Sequence, residues 1–597
     1  MRIQSPVRSS QFSFPISKCA IALLCCAFSI EPLFAQELDW ASFGNDASNS
    51  RFQNIDQINP SNVSQLKLTW SFTGGTTEQA STEATPLVVD GVMYMTGSNG
   101  GVFALNPTSG KQIWHYTPSP AGGASKGVAY GDGLIFYGQK ANLVALNPKT
   151  GALVWKTLVD PGKAAGITIA PLFVKTSSGV SEVLIGPSPA DIGYPGHLDA
   201  YNAATGKLLW RFNTVDPNTY PKGAILSGAG TWQTPTFDPT LNMVLFGTGN
   251  PSPDLGVNRE GTNLYSASIV ALDATTGELQ WYFQMIHHDL WDFDSAQPVM
   301  LFSWNGVPAV EGTTKAGSTF ILDRASGEPL VPYAEVPVPP TPANAAFQHP
   351  WPTQPVSSIE SLAQRTVNPW SVPPGAVAVP MFTTPSPTLQ VFQPDLVSGY
   401  EWFSAGYSPR TKMIYSHAIY HASVFQVENI PDSPNCVGIQ TGVYYQCGIT
   451  SNQYSGNLGV DSGVYGAINT LTGKVAWSIP LLTSTPSSGM TVAGDLVFFA
   501  DATGLVYAAS ASTGEILWVF DALTVPGASG ADSTGPAVYE IGGVEYVAIE
   551  MASYSLDLPT GGPLGPFGNA LIAFALPSAV AAAAEKAAAP AHRARVK

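Results

Sequence analysis

A short pattern of apolar and polar residues recurs along the chain. Each copy has an apolar run, a polar turn that contains glycine, and a second run that ends on Trp four residues after the glycine. Apolar runs separated by a glycine-containing polar turn indicate strands joined by a turn. The copies are Ala104–Trp114 (ALNPTSGKQIW), Ala145–Trp155 (ALNPKTGALVW), Ala200–Trp210 (AYNAATGKLLW), Ala271–Trp281 (ALDATTGELQW), Ala467–Trp477 (AINTLTGKVAW) and Ala508–Trp518 (AASASTGEILW).

The spacing of the copies indicates a repeat architecture. Trp114 and Trp155 are 41 residues apart, as are Trp477 and Trp518. A unit of this length cannot bury its own apolar face, so it must stack on copies of itself. We therefore predict an all-β fold, an eight-bladed β-propeller with tryptophan-type closing motifs over residues 36–576, whose central axis can hold one ligand. The count of eight includes degenerate copies such as Ile321–Gly327.

Composition agrees with this fold and restricts the partners. Charged residues make up 11% of the 597 residues, and the chain contains 58 Gly and 50 Pro, as expected of a turn-rich all-β protein. The formal net charge of −16 makes nucleic acid and anionic membrane surfaces poor partners. A basic, soluble redox protein would be complementary, although acidity can also serve solubility alone.

The first 35 residues resemble an export signal. Arg2, Arg8 and Lys18 precede an apolar core, Cys19–Ile30, and cleavage after Ala35 would leave Gln36 first. The apolar core is too short to span a membrane as a helix. We predict a signal peptide over residues 1–35 and a periplasmic protein with no transmembrane segment.

Two cysteines remain after this signal. Cys436 and Cys447 enclose a polar loop, and in an exported protein they predict a structural disulfide, with two free thiols as the alternative. No Cys-x-x-Cys-His sequence occurs, so we expect no c-type haem attached to this chain.

Two segments do not follow the repeat, and we predict no catalytic or ligand-binding residue in either. Residues 329–385 are rich in proline, which lacks an N–H and cannot lie in a ladder interior. We interpret them as an excursion over one face of the ring, either a lid or a passive decoration. Residues 577–597 are Ala-rich with a basic end, and we predict a disordered tail.

Three polar stretches break the repeat: Gly186–Gly196 (GPSPADIGYPG), Phe246–Pro253 (FGTGNPSP) and Met285–Pro298 (MIHHDLWDFDSAQP). Their Asn and Asp oxygens suit a hard cation. Asp292 and Asp294 would share one face of an extended strand and could address one ion. The alternative is that these acids are solvated or cap backbone N–H groups. Adjacent His287 and His288 would face opposite ways, and we interpret them as structural.

Together with the repeat, these stretches resemble the quinoprotein alcohol dehydrogenases, eight-bladed propellers that use pyrroloquinoline quinone. The resemblance covers most of residues 38–576. Its most specific matches are EATPLVV (Glu83–Val89), GVAY (Gly127–Tyr130), GTGNPSP, HHDLWDFD, FILDRASG (Phe320–Gly327) and HPWPTQP. The resemblance implies oxidation of an alcohol to an aldehyde, with electrons passed to an external acceptor such as a cytochrome c.

The resemblance also implies roles for single residues. Asp292 matches the catalytic base, and Asn250, Asp191, Asp292 and Asp294 match metal ligands. Trp232 falls where a Trp stacks under the cofactor, and Lys315 where a cation contacts the quinone oxygens. The remaining cofactor-contacting positions are Glu83, Lys126, Thr168, Ser188 and Ala190.

Several cofactor contacts of the family are altered here. The adjacent, disulfide-bonded cysteines are missing from Ser119–Ser125, and Asp191 replaces a glutamate. Gly230 replaces a Thr, Glu401 replaces an Asn, and a later Trp falls near Pro486. Two interpretations follow: a divergent dehydrogenase, or a non-catalytic propeller that has lost the quinone and binds proteins. The retained Asn250, Asp292 and Asp294 favour the first, and the extra carboxylate of Asp294 favours a lanthanide slightly over calcium.

Overall fold

The computed structural model describes residues 37–74, 83–97, 100–119, 123, 125–160, 166–188, 194–224, 226–256, 259–369, 372–427, 449–452, 462–531, 533–552 and 568–588. The chain divides into Met1–Gln36 and Glu37–Lys597. The predicted signal peptide lies outside the described residues and stays a prediction.

Successive antiparallel sheets make up the first half of the second unit. Sheet 1 contains Leu87–Val89, Val92–Thr96, Val102–Leu105 and Gln112–Tyr116. Sheet 2 contains Ala129–Gly131, Leu134–Gln139, Asn142–Leu146 and Leu153–Leu158. Sheet 3 contains Leu172–Lys175, Ser181–Ile185, His197–Asn202 and Leu208–Asn213. Sheet 4 contains Thr236–Asp238, Met243–Gly247, Ser268–Asp273 and Leu279–Gln284.

Four further sheets follow the same plan. Sheet 5 contains Met300–Trp304, Val307–Thr313 and Thr319–Asp323. Sheet 6 contains Gly406–Ser408, Met413–Tyr420, Ser462–Asn469 and Lys474–Leu481. Sheet 7 contains Thr491–Ala493, Leu496–Ala500, Leu505–Ser510 and Ile516–Asp521, with Phe52–Gln53 added in parallel. Sheet 8 contains Ala537–Ile541, Val544–Met551, Ala570–Ala575 and Lys67–Thr73.

Sheet 8 joins the two ends of the second unit. Its outer strand, Lys67–Thr73, comes from the start of that unit and pairs antiparallel with Ala570–Ala575 from near its end. This pairing brings together residues about five hundred positions apart in sequence, and the all-β, propeller-type fold predicted from the repeat is confirmed. The number of blades and the type of closing motif stay predictions.

The repeated Trp joins one sheet to the next. Trp210 of sheet 3 donates its indole N–H to the Ala274 carbonyl in the turn of sheet 4, at 3.0 Å. Its ring covers Gly277 of that turn, where an added Cβ would lie 2.6 Å from Trp210 Cδ2. Gly277 also has a φ of +71°, which favours glycine. The repeat therefore encodes a contact between neighbouring sheets, because both its Trp and its Gly are needed for it.

The same contact recurs at six junctions within the described residues. In each, a Trp indole N–H donates to a carbonyl in the next sheet's turn: Trp70 to Pro107, Trp114 to Pro148, Trp155 to Ala203, Trp210 to Ala274, Trp281 to Arg324 and Trp477 to Ala511. Between the sheets, buried Val, Ile, Leu, Phe and Ala side chains form the core.

Two accessory sheets lie outside the eight. One, within the segment between sheets 5 and 6, pairs Tyr333–Pro337 with Thr353–Ser357. The other combines Val377–Ala378 and Gln390–Phe392 of that segment with Ser423–Val427 and Ile449–Asn452, which lie between the second and third strands of sheet 6. Each strand of the first pair has a free edge, so its prolines do not interrupt a ladder interior. The segment packs on the loop before sheet 5 through a cluster that includes Trp291, Phe293 and Phe382. Its function as a lid stays a prediction.

Short helices complete the fold, and one differs from expectation. The 3-10 helices are Val63–Gln65, Pro217–Thr219, Ala343–Gln348 and Ala522–Thr524. Instead of a disordered tail from residue 577, the structure forms an α-helix over Pro577–Ala588. Alanine has the highest helix propensity, and Ala579, Val580 and Ala583 pack against the core. Among the described residues, no helix combines the length and apolar content needed to cross a membrane.

Candidate active site

The residues singled out in the sequence converge because they occupy equivalent loops. One set precedes the first strand of a sheet, and the other follows the second strand. In an antiparallel sheet both positions lie at the same end of the strands. The first set is Glu83, Lys126, Thr168, Trp232, Asp292 and Asp294, and the second is Ser188, Asn250 and Lys315.

Lys315 is the centre of an acidic cluster. Its Nζ lies 3.0 Å from Asp292 Oδ2 and 3.0 Å from Asp294 Oδ2. The Lys315 side chain is 8% exposed, and those of the two acids are 19% and 6% exposed. Burial by itself lowers the pKa of Lys315, but the two carboxylates outweigh it and hold that pKa well above its usual value. The lysine is therefore a fixed positive charge between two carboxylates.

Asn250 connects this cluster to sheet 4. Its backbone N–H donates to Asp294 Oδ1, and its side-chain amide donates to Asp254 Oδ1 at 2.9 Å. Gly249, next to it, permits the close approach, because an added Cβ would lie 3.1 Å from Asp294 Oδ1 and 3.5 Å from Trp232 Cδ1. The predicted ligands Asn250, Asp292 and Asp294 therefore lie in one connected cluster.

Hydrogen bonds to the Asp289 carboxylate hold the backbone of the loop on both sides of Asp292. The Asp289 carboxylate accepts the N–H groups of Trp291 at 2.9 Å and Phe293 at 2.7 Å. Burial raises the pKa of Asp289 to about 6. Asp292 adopts a φ of +62°, a left-handed conformation that is uncommon outside glycine. Such conformations persist where surrounding contacts impose them, and they concentrate at functional sites.

A second cluster places cations against aromatic faces. Lys126 Nζ lies 5.4 Å from the centre of the Trp232 ring and 5.0 Å from that of Trp402, and Lys315 Nζ lies 5.8 Å from the Trp232 ring. Glu83 Oε2 lies 3.5 Å from Lys126 Nζ. Ammonium groups at these distances from a ring are attracted to its face. Trp232 thus provides an aromatic surface bordered by two ammonium groups.

The hydroxyls of Thr168 and Ser188 form the polar side of this region. The two oxygens are 2.8 Å apart, and the Lys126 backbone N–H donates to the Thr168 carbonyl at 2.7 Å. The backbone of sheet 3 therefore positions the lysine that faces Trp232.

Two residues here were not among the predicted site residues. Glu401 and Trp402 precede sheet 6, and Glu401 Oε2 accepts the Trp402 N–H at 3.3 Å. Burial raises the pKa of Glu401 to about 7, against the opposing effect of Lys315. The sequence signal for Glu401 was the replacement of an expected asparagine, which indicated a lost contact rather than a new acid.

Other predicted residues do not complete a site here. Ala190, Asp191, Cys436 and Cys447 lie outside the described residues, so their roles and the disulfide stay predictions. Within the described ranges, no group of three or more His, Cys, Asp and Glu side chains is arranged to hold a metal ion.

The two adjacent histidines are engaged in structural contacts. His287 Nδ1 lies 3.0 Å from Gln284 Oε1, and its backbone N–H donates to Gln354 Oε1 at 2.8 Å. His288 ring nitrogens lie 2.8 Å and 2.9 Å from the carbonyl oxygens of Gly261 and Gln348. Both histidines therefore tie the Asp292 loop to its neighbours.

Comparison with known proteins identifies the family. Residues 40–547 match the family described as glucose/ethanol/alcohol dehydrogenase, beta-propeller domain, of the pyrroloquinoline quinone type. The chain is 31% identical over 577 residues to quinohemoprotein alcohol dehydrogenase ADH-IIG of Pseudomonas putida, covering 89% of this chain and 74% of the relative. This chain belongs to the quinoprotein dehydrogenase family.

Another relative and two solved structures are also similar to this chain. The chain is 30% identical over 520 residues to the putative dehydrogenase XoxF of Paracoccus denitrificans, covering 78% of this chain and 80% of the relative. The crystal structure of quinohemoprotein alcohol dehydrogenase from Comamonas testosteroni matches with a TM-score of 0.72 at 26% identity, over 90% of this chain and 80% of that one. A europium-containing methanol dehydrogenase shares the fold, with a TM-score of 0.70 at 23% identity over 90% and 98% of the two chains.

The residues of this quinoprotein fit the cofactor in three respects. A planar tricarboxylate needs an aromatic platform and cationic donors, which Trp232, Lys126 and Lys315 provide. The indole N–H of Trp232 is buried and has no hydrogen-bond partner among the described residues. A metal ion that polarises the quinone needs hard oxygen ligands, and the Asn250–Asp292–Asp294 cluster offers them.

Proposed function

We propose that this quinoprotein oxidises an alcohol to the aldehyde, with pyrroloquinoline quinone and one metal ion bound at the end of the sheets described above. The observation that carries the proposal is the Lys315 ammonium, 3.0 Å from both Asp292 and Asp294 and 5.8 Å from the Trp232 ring. It places a candidate base, candidate metal ligands and a candidate cofactor platform within reach of one side chain. We also infer that sheets 1–8 form an eight-bladed ring, which the pairing of sheet 8 supports.

Asp292 is the general base in this proposal. When bound, the quinone would supply a hydride acceptor for the alcohol, and the metal ion held by Asp191, Asn250, Asp292 and Asp294 would supply Lewis acidity. Asp292 accepts the hydroxyl proton, and it is the more exposed of the two clustered acids, at 19% against 6%. The Lys315 ammonium stabilises the negative charge of Asp292, and the carboxylate is the form that can accept a proton. Trp291 and Phe293 shield the loop from water.

The remaining residues bind and orient. Trp232 would support the planar cofactor, and Lys126 and Lys315 would neutralise its carboxylates and oxygens. Glu83, Thr168, Ser188 and Ala190 are assigned to its polar edge. The Trp402 ring, 5.0 Å from Lys126 Nζ, borders the same region.

For the metal we propose ligation by Asp191, Asn250, Asp292 and Asp294, with a lanthanide preferred over calcium. A second carboxylate two residues after the base suits an ion of high charge density. Metal analysis of protein produced with calcium or with a light lanthanide tests this preference. We expect lanthanide occupancy and activity, and activity with calcium as the only bound ion would contradict the preference.

We further propose that the protein is exported to the periplasm, with Cys436 and Cys447 joined as a disulfide, and that a soluble cytochrome c or similar protein accepts its electrons. The net charge of −16 favours a basic acceptor. No Cys-x-x-Cys-His sequence occurs in the printed sequence, so we propose that the haem acceptor is carried by a separate protein.

The decisive experiment is an ultraviolet–visible titration of the purified protein with pyrroloquinoline quinone, with and without each metal. We expect a stoichiometric, metal-dependent quinone band that bleaches with alcohol. Asp292→Asn should retain the band and the fold but abolish dye-linked alcohol oxidation, and full activity in that variant would refute the assigned base. Absence of a band with every metal would favour the protein-binding propeller instead.

A further inference from the structure

Glu401 is a buried acid at the edge of the proposed cofactor site. It is 8% exposed, and its Oε2 accepts the neighbouring Trp402 N–H at 3.3 Å. Its other oxygen, Oε1, is buried and has no hydrogen-bond partner among the described residues. A buried carboxylate oxygen without a donor is costly when the group is ionised, because burial removes the water that would otherwise solvate the charge.

The ammonium of Lys315, which favours the ionised form of Glu401, is already engaged. Lys315 lies 3.0 Å from both Asp292 and Asp294, and Glu401 is a third acid that acts on the same lysine. The other charged groups acting on Glu401 are Asp294 and Asp395, and both disfavour its ionised form. One ammonium cannot neutralise three carboxylates, so Glu401 is the acid that lacks a dedicated partner.

The neighbouring elements offer no compensating charge. The backbone N–H of Glu401 donates to His417 Nε2 at 3.3 Å, and burial lowers the pKa of His417 to about 3, so this histidine is neutral near pH 7. Asp395, on the segment before sheet 6, is paired with His421 and Ser423 rather than with Glu401. A negative charge on Glu401 is therefore stabilised by the ammonium of Lys315, which two other carboxylates share, and by the Trp402 N–H.

Binding of a tricarboxylate increases the excess of negative over positive charge around Glu401. Three cofactor carboxylates would join Glu83, Asp292 and Asp294, opposite Lys126, Lys315 and one di- or trivalent ion. A further anion at Glu401 would oppose cofactor binding, whereas the neutral acid could donate a hydrogen bond from its unpartnered oxygen.

We propose that Glu401 binds the anionic cofactor in its protonated form, as a positioning residue that takes up a proton when the quinone enters. This inference rests on the proposed function, because it needs the quinone to bind at this site. The pKa of Glu401, raised to about 7 mainly by burial, supports it, because the proton is then available near neutral pH at little cost.

The test is proton uptake during cofactor binding, measured by isothermal titration calorimetry of the full-length protein with pyrroloquinoline quinone. Titrations at pH 8 in buffers of different ionisation enthalpy, with the metal ion present throughout, give the number of protons bound. Burial raises the pKa of Glu401 to about 7, so more of this carboxyl is ionised at pH 8 than at pH 6 before the quinone enters. Proton uptake should therefore be larger at pH 8 than at pH 6 and should not exceed one proton for this group.

Two variants isolate the effect. Glu401→Gln keeps the shape and a hydrogen-bond donor but cannot titrate, so it should bind the quinone and lose the uptake at pH 8. Glu182→Gln is the matched control, because burial also raises the pKa of Glu182 to about 7 but it lies on sheet 3, at the opposite end of its strand from the site loops. We expect wild-type uptake in this control.

The outcomes separate this inference from the proposed function. Quinone binding with equal proton uptake in the wild type and in Glu401→Gln would overturn the role of Glu401 and leave the dehydrogenase proposal intact. Failure of the wild type to bind the quinone with any metal would overturn the proposed function, and this inference with it.

Discussion

Gly277→Ala tests whether the Trp–Gly contact between sheets stabilises the fold. Gly277 has a φ of +71°, and an alanine Cβ would lie 2.6 Å from Trp210 Cδ2, so the ring or the turn must move. The left-handed conformation costs alanine about 1 kcal/mol or more, and overpacking costs about 1–3 kcal/mol. The expected loss is therefore about 2–4 kcal/mol of unfolding free energy.

The matched control is Gly133→Ala. Gly133 has nearly the same φ, +73°, but no other atom lies within 4 Å of an added Cβ. Gly133→Ala should lose only the unfolding free energy that the left-handed backbone conformation costs alanine, about 1 kcal/mol. The assay is the midpoint of urea unfolding followed by Trp fluorescence, compared at equal protein concentration. Equal midpoints for the two variants would refute the reasoning, because the contact with Trp210 would then contribute nothing beyond the glycine conformation.

Two further predictions concern the platform and a buried acid. Trp232→Leu should weaken quinone binding by about tenfold, measured by fluorescence titration, because the variant removes the aromatic ring that Lys126 and Lys315 border. The thermal unfolding midpoint should stay unchanged. An unchanged affinity would remove Trp232 from the platform. Burial raises the pKa of Glu311 to about 8 from 4.5, so the folded state keeps a proton that the unfolded state loses, and stability should fall as pH rises from about 5 to 8. Glu311→Gln should flatten that fall in urea midpoints, and an unchanged slope would contradict the assignment.

The fold class could be predicted from the repeat because each copy contains both the Trp and the Gly of a contact between neighbouring sheets. A Trp that must cover the glycine of the next copy leaves the same residues at the same spacing in six of the eight sheets. The number of blades was harder to read, since sheet 5 has three strands in the described residues and its copy, Ile321–Gly327, lacks the Trp. The Ala-rich tail was misjudged because its composition was interpreted as disorder, whereas Ala579 and Val580 find a core to pack on.

The candidate site residues could be predicted from the sequence where they belong to short motifs. Asp292, Asp294 and Asn250 lie in stretches that interrupt the repeat, and the structure brings them together. The two acids lie in a loop, with Asp292 at a φ of +62°, and not on one face of an extended strand as the sequence predicted. Glu401 was recognised only as a departure from the family. Its burial and its unpartnered oxygen arise from the packing of several loops, and the residues next to it in sequence do not indicate them.

The sequence by itself determined the strand–turn–strand repeat, the family and most of the candidate site residues, because those depend on local spacing and side-chain chemistry. Only the tertiary structure decided that Lys315 engages two carboxylates at once, that Lys126 lies between the rings of Trp232 and Trp402, and that one oxygen of Glu401 has no hydrogen-bond partner among the described residues. The physical reason is that charge balance and burial are properties of several loops meeting in space, and no single stretch of sequence contains them.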